Sequence, residues 1–277
     1  MKNSSVPNSK HDAEPIELNN LLLQSLSPIT PTAKQSANLH DNLLQQISRS
    51  LAEQQGIHTV RRHQGKWQTL KSGIRFKALS SGSEGNSVLI EFAPGASLAA
   101  HRHEWQEEGM LLSGRLQMGT LDLGVGDYHR SEVGSRHAII RSQQGAVAFL
   151  RGTSLGTTTS VVKELLGGLL PDPGKLAHTV LLAQTQDWVE IYPGVCSLTL
   201  CSAANTPRIS RYLRLQHGAT YPAHPHQQDE ECMVLQGEAF FGDTLIRAGE
   251  YQFAAAGSQH GEIFTDVGCL LFIRGEN

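Results

Sequence analysis

A chain of 277 residues with 39% hydrophobic residues and a net charge near −3 has material for two cored domains and no basic footprint for nucleic acid. Its four cysteines, Cys196, Cys201, Cys232 and Cys269, form no C-x-x-C pair and all fall in the last third of the chain, which argues against a disulfide framework. The first twenty residues are polar and lack a leader pattern, and no stretch reaches the length of a membrane span, so a cytoplasmic protein without membrane association is expected.

Residues 1–14 are polar and predicted to be disordered. Ile16–Leu26 predicts a short helix stopped by Pro28 and Pro31. A second helix is predicted over Gln35–Gln55, with Leu39, Leu43, Leu44, Ile47 and Leu51 on one stripe and Gly56 as its stop. These helices form an arm, residues 1–59, which either packs on the rest of the chain or a partner subunit, or docks another protein. From Val60 the period changes to that of strands: Ile74–Leu79, Val88–Phe92, Gly109–Leu112, Leu116–Met118 and Ala146–Leu150, separated by glycine-rich turns. Many short strands at this spacing predict an all-β sandwich or barrel. Residues 156–185 read as a connector, in which Val161–Leu166 and Thr179–Leu182 are expected edge strands. The strand pattern then resumes over 186–277.

The two strand-rich segments are copies of one unit. His101, His103, Glu107 and His137 recur as His224, His226, Glu230 and His260, each 123 positions later. Gly95, Gly114, Gly126 and Gly134 recur as Gly218, Gly237, Gly249 and Gly257, and Phe149-Leu150-Arg151-Gly152 as Phe272-Ile273-Arg274-Gly275. Trp188 answers Trp67 at a shorter offset, which places a two-residue insertion between Gly194 and Gly218. On a strand, residues two apart share a face, so His101 and His103 project together, as do His224 and His226. Three imidazoles and a carboxylate in each copy predict a divalent metal site in each. Four such ligands close a tetrahedral zinc site or leave two positions open on six-coordinate Fe, Mn or Ni.

The spacings Gly95-x5-His101-x-His103-x3-Glu107-x6-Gly114 and Gly126-x5-Glu132-x-Gly134-x2-His137 resemble the two cupin motifs, as do their counterparts from Gly218 and Gly249. The resemblance implies two tandem jelly-roll barrels, residues 60–155 and 186–277, and selects Glu107 over Glu108 and Glu230 over Glu231 as ligands. Leu21–Pro31, Leu43–Ile47, Gly65-Lys66-Trp67, Gly73–Leu79 and Ala93–Leu98 resemble ChrR-type anti-sigma factors. That resemblance implies a zinc-binding regulatory or sensing protein in transcription control. The family's sigma-binding His and Cys-x-x-Cys set is not matched: His11 and His40 are present without a cysteine before Cys196. The other reading is an Fe(II)-dependent cupin dioxygenase acting on a small diketone or aromatic, with both barrels active or one of them only structural. Expected partners are a sigma factor or other protein on the arm, a small molecule in the barrels, and a second copy of the chain. Cys232 is expected to be a small core residue rather than an oxidisable thiol beside the metal, and Arg211, standing where the first copy has Val88, to snorkel outward rather than offer a cation to an anionic ligand in the second barrel.

Overall fold

In the computed structural model, residues 30–136, 138–156, 177–182, 184–202 and 208–276 are described. The chain divides into two units at Arg49/Ser50. The helix Ala33–Glu53 opens with a capping box, in which the Thr32 hydroxyl accepts the Gln35 amide at 3.3 Å and the Gln35 side chain accepts the Thr32 amide at 2.9 Å. Leu39, Leu43, Leu44, Ile47 and Leu51 are exposed along it. The predicted helix Ile16–Leu26 lies outside the described residues.

From Ile57 onward the short-period pattern folds as strands, with hydrophobic residues buried on alternate positions. One antiparallel sheet has the order Ala177–Val180, Tyr128–Ser131, Glu107–Gly114, Ala146–Thr153, Gly85–Phe92, Ile74–Gly82, Gln68–Lys71. The other has the same order with the second copy's strands: Ile57–Val60, Tyr251–Ala254, Glu230–Phe241, Cys269–Glu276, Arg208–Leu215, Val195–Ser202, Val189–Tyr192. A smaller sheet completes each jelly roll: Ser97–Leu98, Ile140–Arg141, Leu116–Met118 and Leu121–Leu123 in barrel 1, and Thr220–Tyr221, Ile263–Phe264, the end of Glu230–Phe241 and Thr244–Arg247 in barrel 2. Two tandem jelly-roll barrels are therefore present. The insertion falls between Ser202 and Arg208, because Ile74 and Val195 open strands 121 apart while Gly85 and Arg208 open strands 123 apart.

The outermost strands are exchanged. Ile57–Val60, which precedes barrel 1, pairs with Tyr251–Ala254 of barrel 2, and Ala177–Val180, from the connector, pairs with Tyr128–Ser131 of barrel 1. Each covers an edge that would otherwise expose unpaired backbone groups. Thr179 and Val180 thus take the edge position foreseen for the connector, and Val161–Leu166 lies outside the described residues.

Three cores follow from the alternation. Ile74, Val88, Ile90, Phe92, Leu111 and Ala148 fill barrel 1; Leu213, Cys232, Val234, Phe241, Leu271 and Ile273 fill barrel 2. The opposite faces of the same strands meet between the barrels, where Met110, Tyr128 and Phe149 pack with their counterparts Met233, Tyr251 and Phe272. The Phe149 and Phe272 rings are 5.7 Å apart, a contact worth about 0.5–1.5 kcal/mol beyond burial.

The repeated Arg also belongs to this interface. Arg151 donates to Glu231 at 2.9 Å and to Glu84 at 2.8 Å, and lies 3.7 Å from Glu108. Arg274 lies 3.7 Å from Glu108 and donates to Ser210 at 3.4 Å. Tyr128 donates to Glu108 at 2.9 Å and Tyr251 to Glu231 at 2.8 Å. Burial alone would lower the Arg151 pKa, but Glu231, Glu108 and Glu84 together hold it above its ordinary value.

Candidate metal centres

Each centre is assembled from two pieces of chain held at one end of a barrel. Around His103, the amide donates to the Ser135 carbonyl at 3.0 Å and the carbonyl accepts the Gly134 amide at 2.8 Å. His226 repeats both bonds, with Ser258 at 2.9 Å and Gly257 at 2.7 Å. The turn that supplies them needs a left-handed residue, φ 74° at Gly134 and 86° at Gly257, which explains why both copies carry glycine there.

His101, His103 and Glu107 converge in barrel 1, and His224, His226 and Glu230 in barrel 2, with potential ligand atoms in each set within 4.8 Å of one another. The paired rings stand edge to face, 5.1 Å apart for His101 and His103 and 5.0 Å for His224 and His226. His260 joins the second set: its ring is 4.5 Å from that of His226, and its Nε2 is 3.5 Å from Glu230 Oε1. His137, the corresponding residue of barrel 1, lies outside the described residues. The other candidate ligands are all buried except His224, which is half-buried.

A backbone carbonyl orients the first histidine of each set. His101 Nδ1 is 3.1 Å from the Ala99 carbonyl oxygen, and His224 Nδ1 is 3.0 Å from that of Pro222. A carbonyl only accepts, so Nδ1 carries the proton and Nε2 presents its lone pair inward. Residue types carry no signal for such a partner, because any amino acid supplies a carbonyl.

The electrostatics suit a cation. Burial pushes the His226 pKa down to about 4, against the pull of Glu230, so the ring is neutral at pH 7 and able to coordinate. Burial pushes the Glu107 carboxyl up, partly offset by His101 and by a hydrogen bond from Thr153. Burial also acts to raise Glu230, but the His260, His226 and His224 rings outweigh it and hold the carboxyl below its usual range. Among the described residues, buried His226 Nε2 has no hydrogen-bond partner, and buried Glu230 Oε1 has only the His260 contact at 3.5 Å. A divalent cation would satisfy a neutral ring nitrogen and a carboxylate oxygen together, so the residues fit the group. Gly275 makes room: a Cβ there would stand 2.8 Å from Glu230 Oε2.

The barrels differ beyond their candidate ligands. His101 and Glu107 of barrel 1 form part of the wall of an interior cavity of about 330 Å³, continued by Leu98, Leu116, Met118 and Ile140. At the barrel 2 places that answer Leu98, Met118 and Ala148 stand the larger Tyr221, Phe241 and Leu271. Cys232 is a buried core residue, and burial pushes its thiol well above the ordinary range. Arg211 does not snorkel outward as expected. Its Nε is buried, and its guanidinium is a hydrogen-bonding partner of Tyr221, inside barrel 2. The strand parity that it shares with Leu213 and Leu215 decided its direction.

The sequence pattern missed Thr153 beside Glu107 and His129 in the barrel 1 wall, where Nδ1 is 2.8 Å from Thr179 Oγ1 on the exchanged strand. Parity with Glu107 does not reveal either, since they lie on other strands. Among the described residues no helix is long and apolar enough to cross a membrane.

Comparison with known proteins agrees with this architecture. The family described as the ChrR cupin-like domain matches residues 55–155 and again 177–276. No curated protein matches. Among solved structures, a putative dioxygenase from Nostoc punctiforme is 13% identical with a TM-score of 0.59, covering 80% of this chain and 82% of that one. A mutant of Bacillus subtilis oxalate decarboxylase is 17% identical with a TM-score of 0.57, covering 79% and 77%. Lactobacillus farciminis oxalate decarboxylase, in a formate complex, is 15% identical with a TM-score of 0.56, covering 79% and 86%. At these identities the likeness is one of fold. With the family matched once on each barrel, the chain belongs to the ChrR cupin-like domain family, as a bicupin with two candidate metal sites.

Proposed function

We propose that this chain is a metal-dependent dioxygenase of small diketone or aromatic molecules, with barrel 1 as its working site. The observation that carries the reading is the cavity of about 330 Å³ whose wall includes both His101 and Glu107. His101, His103 and Glu107 would hold the ion, with His137 as the expected fourth ligand. An iron or manganese ion supplies Lewis-acid and redox chemistry when bound. The chain's own part is to orient His101 through Ala99, to hold Glu107 through Thr153, and to keep bulk water from the substrate with an apolar wall. Two structural neighbours support this class: one is a putative dioxygenase, and the B. subtilis oxalate decarboxylase is described with Mn(II) centres. Oxygen uptake by the iron-loaded protein across a panel of diketones and phenols tests the reading; silence across the panel overturns it.

A second reading has its own observation. The exposed stripe Leu39, Leu43, Leu44, Ile47 and Leu51, together with the family match, favours a zinc-binding regulatory protein that docks a sigma factor on its helix. Purification without added metal separates the two, since about two zinc ions per chain favour regulation and iron or manganese favours catalysis. A sigma factor retained by the wild type and released by Leu43→Ser with Ile47→Ser would establish the second reading.

A further inference from the structure

The repeat allows the interiors of the two barrels to be compared position by position. In barrel 1, Leu150 pairs across the sheet with Val88 on one side and Gly109 on the other. In barrel 2 the same three places hold Ile273, Arg211 and Cys232. Further along the wall, Ala148 becomes Leu271, Met118 becomes Phe241 and Leu98 becomes Tyr221. Each of the last three replacements adds side-chain atoms to the interior. Ala148 faces Leu111 across the sheet, and Leu271 faces Val234 in the same register. In barrel 1 the smaller side chains at these places leave a cavity of about 330 Å³.

The polar groups in the barrel 1 wall are already engaged away from the metal end. The Asp127 carboxylate accepts the Gly124 amide at 2.7 Å and the Leu182 amide at 2.8 Å. His129 is held by Thr179, and Lys71, exposed at the rim, donates to the Ser97 carbonyl at 2.9 Å. Thr153 bonds Glu107 at the metal end, and the rest of the wall is mostly hydrocarbon. A ligand with one polar end at His101 and Glu107 therefore rests its body on leucine, isoleucine and methionine. A dianion would bring its second charge against that wall, whose lysine, Lys71, sits exposed at the rim and already donates to Ser97, and this is costly.

We infer that barrel 1 takes a neutral molecule with a predominantly apolar body, and that barrel 2 takes no organic ligand. A cavity of about 150 Å³ lined by similar residues holds benzene, so barrel 1, at about 330 Å³, has room for a substituted ring. This rests on the placement of the working site in barrel 1 and narrows its substrate class; small dianions such as oxalate are excluded from it.

The test is binding to the metal-loaded full chain, read by equilibrium dialysis with 4-propylphenol and with oxalate as probes. One 4-propylphenol per chain is expected, with no displacement by oxalate. Ala148→Leu and Met118→Phe carry barrel 2 residues into barrel 1 and should each weaken 4-propylphenol by about tenfold or more, with metal content unchanged. If Ala148→Leu does not fold, Met118→Phe carries the test. Two probe molecules per chain, displacement by oxalate, or wild-type affinity in a folded variant would overturn the inference. Oxygen uptake is read separately: binding as expected with no turnover of any panel member sinks the dioxygenase reading and leaves the ligand class standing. Turnover of oxalate would keep a catalytic barrel and sink the ligand class.

Discussion

The two barrels share strand order, candidate ligand spacing and the carbonyl that orients the first histidine, yet they differ in the side chains that face their interiors, and barrel 1 encloses a cavity of about 330 Å³. Barrel 2 runs a single strand, Glu230–Phe241, where barrel 1 breaks into Glu107–Gly114 and Leu116–Met118. Its interior is filled by Arg211, Tyr221, Phe241 and Leu271 at places where barrel 1 has Val88, Leu98, Met118 and Ala148. The rim that gathers the candidate ligands was kept in both copies while the interior diverged. The lesson is that candidate ligand geometry and substrate room are separable in this fold, because the ligands sit on strand ends and a turn, and the room depends on side-chain volume along the strands.

The comparison can be broken most directly at the carboxylates. Glu107→Gln and Glu230→Gln should each remove one of two bound metals, but only Glu107→Gln should abolish oxygen uptake, by about a hundredfold or more. Equal loss of activity in both variants would mean that the barrels are not divided in this way. Second comes the interface, where the symmetry is also imperfect. Arg151 bonds Glu231 and Glu84 at close range, whereas Arg274 makes one longer bond to Ser210. Arg151→Ala should cost about 3–5 kcal/mol in denaturant unfolding, because it strands buried carboxylates, and Arg274→Ala should cost less. A reversed order would show that the shorter contacts are not the stronger ones.

A finer cut separates the two metal sites themselves. Gly275→Ala places a methyl against the Glu230 carboxylate, which must swing away. Metal affinity of barrel 2 should fall by about 10–100-fold, with barrel 1 and the melting temperature little changed. Titration with a chromophoric chelator reads the two sites; a loss in barrel 1 would contradict the assignment. The smallest effect concerns Glu250, the counterpart of Asp127. Burial acts to raise its carboxyl, but the Arg247 and Arg62 amides and the Arg61 guanidinium, 3.0 Å away, hold it below the usual range. A depressed carboxyl stabilises the fold at pH values above its unfolded pKa and loses that contribution as pH falls through the folded value. Glu250→Gln should therefore cost about 1 kcal/mol at pH 7 and nothing near pH 2, as measured by urea unfolding at both. A pH-independent difference would place the contribution elsewhere than in the charge.

Much of the molecule was determined by the sequence alone. The offset of 123, the two-residue spacing of His101 with His103 and of His224 with His226, and the glycines of the turns determined two equivalent strand folds and which side chains converge. These are local constraints: a period of two decides the face, and a glycine decides a turn. Tertiary structure decided the rest, because it depends on which strands become neighbours. Only pairing across the molecule shows that Ile57–Val60 serves barrel 2 and Ala177–Val180 serves barrel 1. Only packing turns Arg211 inward and turns the repeated Arg151 and Arg274 into a bridge between barrels. The cavity is the clearest case. No single residue encodes it; it is the volume left when the side chains of several distant strands are summed around one axis.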